Sequence, residues 1–313
     1  MDRLDSMQVL ITAAEAGSLS AAGRRLGTPL ATVSRKVSEL ESHLRTRLLT
    51  RTRRGLALTD AGRSYVAACK RILEEIGEAE RAASGEYSAP RGDLIITAPI
   101  VFGRLHVLPV VIEFLKTYPD IDIRMVLADR VTNLLEEQVD VAVRIGELPD
   151  SSLVATRVGL IRRVVCGSPA YFAARGTPKR PAELGAHDCI TFDGRASPEA
   201  WTFRMRKEDA SVEIHSRLTV NTAEAAIDAA IAGLGITRVL SYQVAAAIRA
   251  GALEIALTEF EPPPWPVSLV FAGQRLLPLK LRAFLDFAAP RLRERLSERT
   301  AREPVGRKRL NFT

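Results

Sequence analysis

The sequence predicts an α/β protein headed by an all-α module, and three observations carry that reading. Residues 18–59 form two short helical patterns around a Gly turn, followed by a basic loop. Residues 60–83 carry one long, unbroken helical pattern. From Asp93 onward, short apolar runs alternate with helical patterns, the βαβ rhythm of a sheet covered by helices. A chain of 313 residues with 47 % hydrophobic content is long enough for one small and one large domain, each with its own core.

Within the first module, Ala21 and Ala22 are small enough to let helices approach closely, and Gly27 sits where a helix must stop. Thr28-Pro29 reads as a cap with Pro at the first helical position. Val33, Val37, Leu40 and Leu44 then recur at steps of four, three and four, one buried helix face. The other face offers Leu30, Ala31, Thr32, Ser34, Arg35 and Ser38, small or hydrogen-bonding groups around a long cation. That is a helix-turn-helix whose second helix suits a DNA major groove. Arg45, Arg47, Arg51, Arg53 and Arg54 follow within ten residues, and Gly55 leads into the alternation Leu56-Ala57-Leu58. An Arg-rich wing of this kind suits phosphates and a narrow minor groove.

Charge agrees with this placement. Residues 1–64 hold eleven Lys/Arg against six Asp/Glu, hence +5, leaving 33 against 31, or +2, for the rest. The basic footprint belongs to the first module, and the nearly neutral remainder is not assigned to nucleic acid. Lys36 and Ser38 are expected on phosphates, and Arg51, Arg53 and Arg54 on phosphate or minor groove.

Taken together, Ala21-Ala22, Leu26-Gly27, Val33-Ser34-Arg35, Leu40-Glu41, Leu48, Arg51-Thr52, Leu58-Thr59 and Ala61-Gly62 resemble a LysR-type transcriptional regulator, a likeness that runs from residue 1 to about 295. One departure is Pro29-Leu30, where many relatives place a Ser cap and a polar residue; base reading there is expected to use apolar contact with a thymine methyl. The resemblance implies a two-lobed effector-binding domain similar to type II periplasmic binding proteins, with the returning C-terminal segment completing the first lobe. It also implies antiparallel connector helices, in dimers that often pair into tetramers.

Thr59 can cap a helix beginning at Asp60, and along it Tyr65, Cys69, Ile72, Ile76, Ala79 and Ala83 form an a/d seam. The seam reads as a dimer contact, with packing against its own domain as the alternative. Residues 84–92 read as a linker.

In the large domain, strands are expected at Leu94–Ala98, Ile121–Leu127, Val139–Ile145, Val164–Gly167, Cys189–Phe192, Glu213–Val220, Gly235–Val239 and Val267–Ala272. Helices are expected at Val107–Thr117, after Ser168-Pro169, at Thr222–Ala232 and at Leu279–Leu296. The rhythm argues a mostly parallel sheet, and crossings near Val164 and Phe260 suggest a cleft between two α/β lobes. The boundaries expected are residues 1–59 for the winged module and 60–91 for the connector and hinge. The effector domain takes 92–300, with lobe 1 at about 92–163 and 265–300 and lobe 2 at about 164–264, and 301–313 is a basic tail.

Ligands in such folds sit where strand ends meet helix N-termini, whose free amides favour anions. Thr97, Pro99 and Ile100 mark one such point, Asn221 and Thr222 a second, and these are also the regions the family's effector sites use. Arg144, Gly146, Thr237 and Arg238 are secondary candidates. Thr97 and Asn221 could instead cap helices, Arg144 could answer Asp140, Gly233 and Gly235 serve a tight turn, and Trp201 and Trp265 suit packing. The effector is expected to be a small organic anion; no other cofactor and no metal is expected.

Nothing favours an enzyme. The four histidines (His43, His106, His187, His215) lack metal-ligand spacing, and there is no G-x-S-x-G, Walker or HExxH motif. The alternatives kept are a binding-protein-like α/β enzyme and a thiol redox sensor using Cys189 or Cys166. Three scattered cysteines suit a reducing cytosol, and neither a signal peptide nor an eighteen-residue apolar run is present. The reading is a cytoplasmic regulator, homodimeric or homotetrameric, on a two-fold-related promoter site; RNA polymerase contact is compatible with it and membrane contact is not.

Overall fold

The computed structural model describes residues 2–52, 55–83, 89–129, 134, 137, 139–148, 153–192, 200–205, 208–273 and 277–302. Arg53 and Arg54, most of the expected linker and the tail from 303 lie outside them. Two compact units emerge, residues 1–89 and 90–313.

The first unit starts with α1 (Arg3–Ala16), capped by the Asp2 carboxylate, which accepts the N–H groups of Leu4 and Asp5. Ser18 caps α2 (Leu19–Leu26) in the same way, through the Ala21 N–H. Gly27, at φ 62°, ends α2 in the left-handed conformation that a side chain would disfavour. The next cap corrects the sequence reading. Pro29 is itself the N-cap of α3 (Leu30–Leu44), not its first residue, and the Thr28 hydroxyl turns back to donate to the Leu26 carbonyl. No side chain caps α3. Val33, Val37 and Leu40 are buried as the spacing predicts, against Val9, Ala13 and Ala22 on one flank and Leu10, Ile11 and Leu48 on the other.

A two-stranded wing follows, β1 (Leu49–Thr52) antiparallel to β2 (Gly55–Leu58). It is tied down twice: the Leu56 N–H donates to the Gly17 carbonyl at 3.0 Å, and the Glu41 carboxylate accepts the N–H groups of Leu48 and Leu49 at 2.7 and 3.0 Å. Thr59 then caps α4 (Asp60–Ala83) through the Gly62 N–H. A Cβ on Gly62 would lie 2.0 Å from the Leu48 carbonyl oxygen, so only glycine lets α4 start this close to the wing.

The second unit contains two five-stranded sheets. The first has the order β4-β3-β5-β14-β6, from β3 (Gly92–Ala98), β4 (Ile121–Leu127), β5 (Val141–Ile145), β6 (Leu153–Ile161) and β14 (Trp265–Ala272). The second has the order β11-β8-β12-β7-β13, from β7 (Arg163–Gly167), β8 (Asp188–Phe192), β11 (His215–Val220), β12 (Ile236–Leu240) and β13 (Glu254–Ala256). Over the second sheet lies a hairpin of β9 (Ala200–Met205) and β10 (Glu208–Glu213), whose Trp201 and Phe203 pack on Val165 and Ile236.

Both sheets are mixed, which corrects the expected mostly parallel arrangement. β3 runs parallel to β4 and β5, but β14 is antiparallel to β5 and β6. Likewise β8 is parallel to β11 and β12, while β7 is antiparallel to β12 and β13. The reversals fall on β7 and β14, the two strands by which the chain passes from one sheet to the other.

Helices cover the sheets. A single helical run begins with α5 (Ile100–Phe102), passes through a π-turn at Gly103–Val107 and continues as α6 (Leu108–Thr117), so the helix starts seven residues before the expected one. With α10 (Leu279–Arg302) it buries Phe102, Phe114, Phe284 and Leu292 over the first sheet. The second sheet packs α7 (Pro169–Arg175), α8 (Ala223–Ile231) and α9 (Ser241–Arg249). Tyr242 of α9 reaches the other core, its ring 5.4 Å from Phe102 and 5.6 Å from His106. At the crossings, Arg162 pairs with Glu261 at 3.0 Å, which joins the two connecting segments.

Candidate nucleic-acid interface and ligand cleft

On α3, burial of Val33, Val37 and Leu40 turns the remaining positions outward. Leu30 is 52 % exposed, Ala31 and Ser38 are exposed, and Thr32 and Ser34 are half-buried. Its two cations have different fates. The Arg35 side chain is 64 % exposed, and its Nη1 lies 2.7 Å from Glu39 Oε1 one turn on. Lys36 is 22 % exposed and its Nζ pairs with the Asp5 carboxylate of α1. It straps α3 to α1, a use the sequence reading of a phosphate contact did not foresee. Arg51 lies on β1 opposite Leu56, while its side chain, like Arg53 and Arg54, lies outside what is described.

The connector seam divides. Cys69 is fully buried among Leu10, Ile11, Leu40, Leu48 and Val66, with Tyr65 packed against the same cluster. Those two positions serve the unit's own core, so Cys69 is corrected as a dimer contact. Ile72 is 40 % exposed, Ile76 half-buried and Ala79 exposed, while the Ala83 side chain lies outside the description.

Of the ligand candidates, Thr97 is 1 % exposed on β3, and its Oγ1 has no hydrogen-bond partner among the described residues. Pro99 is the N-cap before Ile100, but the Ile100 N–H is not free: it donates to Asp129 Oδ1 at 3.0 Å. A resident carboxylate thus already holds the amide that a ligand anion was expected to use. At the second point the cap is Thr222, whose Oγ1 accepts the Ala225 N–H at 3.2 Å; Asn221 stands exposed beside it. Thr237 is fully buried and donates to the Ile190 carbonyl at 3.0 Å, a bond internal to the sheet. Arg144 and Gly146 lie at the end of β5, where burial pushes the Arg144 guanidinium down against the opposing influence of Glu137. Gly146, at φ 113°, donates its N–H to the Pro266 carbonyl.

Arg238 has a partner the sequence did not single out. β12 and β7 pair Arg238 with Val165 and Leu240 with Arg163, which sets Arg163 and Arg238 diagonally on one face. Arg238 donates to the Thr202 carbonyl at 3.0 Å and lies 5.3 Å from the Trp201 ring; Arg163 lies 4.2 Å from the Trp265 ring. Burial, together with the charge of Arg163, pushes Arg238 down to about 10. Neither guanidinium has a carboxylate in ion-pair range among the described residues, and Arg163 Nε has no hydrogen-bond partner there.

The thiols lie in the core. Cys166 and Cys189 are both fully buried, and burial pushes each up to about 12. β12 separates their strands, and they face opposite sides of the sheet, Cys166 toward Ala226 and Ala230, Cys189 toward Leu184 and Phe203. That arrangement excludes a disulfide between them and does not favour the redox alternative. Among the described residues, no three His, Cys, Asp or Glu side chains gather as metal ligands, and no helix is long and apolar enough to cross a membrane.

Comparison with known proteins defines the class. Residues 4–63 match the bacterial regulatory helix-turn-helix model of the LysR family, and residues 88–293 match the LysR substrate-binding domain. The chain belongs to the LysR family of transcriptional regulators. It is 35 % identical over 293 residues to an HTH-type transcriptional regulator of Xanthomonas campestris, covering 92 % of this chain and 85 % of that one. An HTH-type transcriptional repressor of Pseudomonas aeruginosa is 34 % identical, with 92 % and 91 % covered. The solved structure of CrgA, a LysR-type regulator from Neisseria meningitidis, aligns with a TM-score of 0.59 and 31 % identity over 92 % of this chain and 98 % of that one. These relatives are regulators of transcription, not enzymes.

Proposed function

We propose that this effector-modulated DNA-binding regulator acts in the cytoplasm as a homodimer or homotetramer on a two-fold-related promoter site. Arg35, Ser34, Thr32, Ala31 and Leu30 of α3 face base edges, and Arg51, Arg53 and Arg54 of the wing engage phosphate or minor groove. Ser38 holds a phosphate, whereas Lys36 stays with Asp5. Ile72, Ile76 and Ala79 of α4 form the pairing surface, and two tethered modules gain affinity that one alone lacks. RNA polymerase contact is compatible with this arrangement.

The observation that carries the reading is the 64 % exposed Arg35 on a helix whose opposite face is fully committed to the core. An organic anion as effector is supported by Arg163 and Arg238, two partly buried cations with no carboxylate in ion-pair range among the described residues, although Asp209 acts on Arg163 from further off, and not by the Ile100 amide. Thr97 and Asn221, with Arg144 as a secondary contact, fix its orientation. The effector shifts the population between two spacings of the DNA-binding pairs, a coupling of roughly 1–3 kcal/mol.

Footprinting on DNA upstream of the protein's own gene tests this. Two protected half-sites about one or more helical turns apart are expected. Salt-sensitive binding with no preferred site overturns it.

A further inference from the structure

Both cations of α3 are neutralised within the protein: Lys36 by Asp5 of α1, Arg35 by Glu39 of its own helix. The two pairs differ in place. Lys36 is mostly covered and its partner lies on another helix, so that pair fastens the module together. Arg35 and Glu39 stand on the outward face, side chains 64 % and 38 % exposed, in the row Arg35, Ser38, Glu39, Ser42 that borders a shallow depression also lined by Asp2 and Asp5. A carboxylate on a face that meets DNA works against every phosphate near it. In free solution an exposed pair of this kind adds little stability. Its effect is instead on Arg35: held at one end, the guanidinium keeps its remaining N–H donors in one plane and direction, the fork geometry that pairs with guanine O6 and N7. Released, the same side chain reaches any nearby phosphate.

We propose that Glu39 is a specificity-determining positioning residue, which acts through Arg35 to direct its guanidinium to a base edge and deny it to the phosphate backbone. This rests on α3 being the reading helix. Glu39 lowers the affinity for DNA of arbitrary sequence and raises the discrimination for the operator.

The test is a double-mutant cycle on the full chain. Duplexes enriched by the wild-type chain from a randomised pool, and scrambled duplexes of equal length, are titrated with wild type, Glu39→Gln, Arg35→Ala and the double variant across a salt series. Glu39→Gln is expected to lower the ratio of specific to nonspecific affinity about tenfold, and to steepen the salt dependence of nonspecific binding by about one phosphate contact. The loss of discrimination is expected to vanish in the Arg35→Ala background, where only the direct repulsion between the carboxylate and nearby phosphates is left to remove. An unchanged ratio and slope in Glu39→Gln overturns the proposal, and so does the same loss of discrimination with Arg35 absent, which would make Glu39 act independently. A pool from which wild type enriches no motif fails the reading-helix assignment itself, a separate and visible outcome.

Discussion

Glu41, on the last turn of α3, accepts the backbone N–H of Leu48 at 2.7 Å and that of Leu49 at 3.0 Å. One carboxylate thereby fixes the point where the chain leaves the reading helix and enters the wing. Glu41→Gln keeps the shape but removes the charge from two charge-assisted bonds, and is expected to cost about 1–3 kcal/mol. Chemical denaturation followed by a probe in the N-terminal unit measures it; a loss confined to DNA affinity, with stability unchanged, would mean the wing is held by other contacts.

The divided seam of α4 separates folding from pairing. Ile72→Glu charges an exposed position and is expected to weaken self-association at least tenfold in sedimentation while the melting of the N-terminal unit stays within a few degrees. Cys69→Ala removes a fully buried group and should lower the stability of that unit by about 1 kcal/mol, with pairing affected only through folding.

Thr97 holds a buried hydroxyl without a partner among the described residues. Thr97→Val keeps the volume and removes that cost, so the melting temperature is expected to hold or to rise by a few degrees. Basal DNA binding should persist while the response to effector is blunted. Equal loss of stability and response would make Thr97 a structural residue.

Because burial holds the Cys166 and Cys189 thiols at about 12, the reactive thiolate is scarce at neutral pH. Alkylation by iodoacetamide in the native protein is expected to stay slow from pH 7 to 9 and to become rapid in denaturant. Fast labelling of either residue at pH 7.5, or peroxide-induced loss of DNA binding that is abolished in Cys189→Ser, would restore a redox role.

The sequence announced the N-terminal module well because its signals are local. Val33, Val37 and Leu40 lie within about two turns of one helix, and Gly27 stops α2 by its own backbone freedom. The cap before α3 was read one residue early, since Thr28 has a competing acceptor in the Leu26 carbonyl. In the larger unit, most strand positions were legible, those of β6, β9, β10 and β13 excepted, but direction was not: nothing within residues 265–272 says that they run antiparallel to both neighbours. β6 was missed because its exposed edge gives no clean alternation, and α9 because it starts directly at the end of β12, with Gln243 supplying the cap. Site residues failed where the partner is distant. Asp129 reaches Ile100 across 29 positions, and Arg163 meets Arg238 only through strand register.

Among the described residues β6 has one hydrogen-bonded neighbour, β14, whose residues pair with it across 104 to 119 positions, from Ile161 with Trp265 to Leu153 with Ala272. During synthesis, therefore, β6 emerges long before anything exists for it to pair with. Its 9 residues must wait until almost the whole chain has left the ribosome, at about 5–20 residues per second a delay of roughly ten seconds. The N-terminal unit, whose contacts all lie within 89 residues, faces no such wait. A nascent chain can thus complete its helix-turn-helix unit before it completes the first sheet of the larger one.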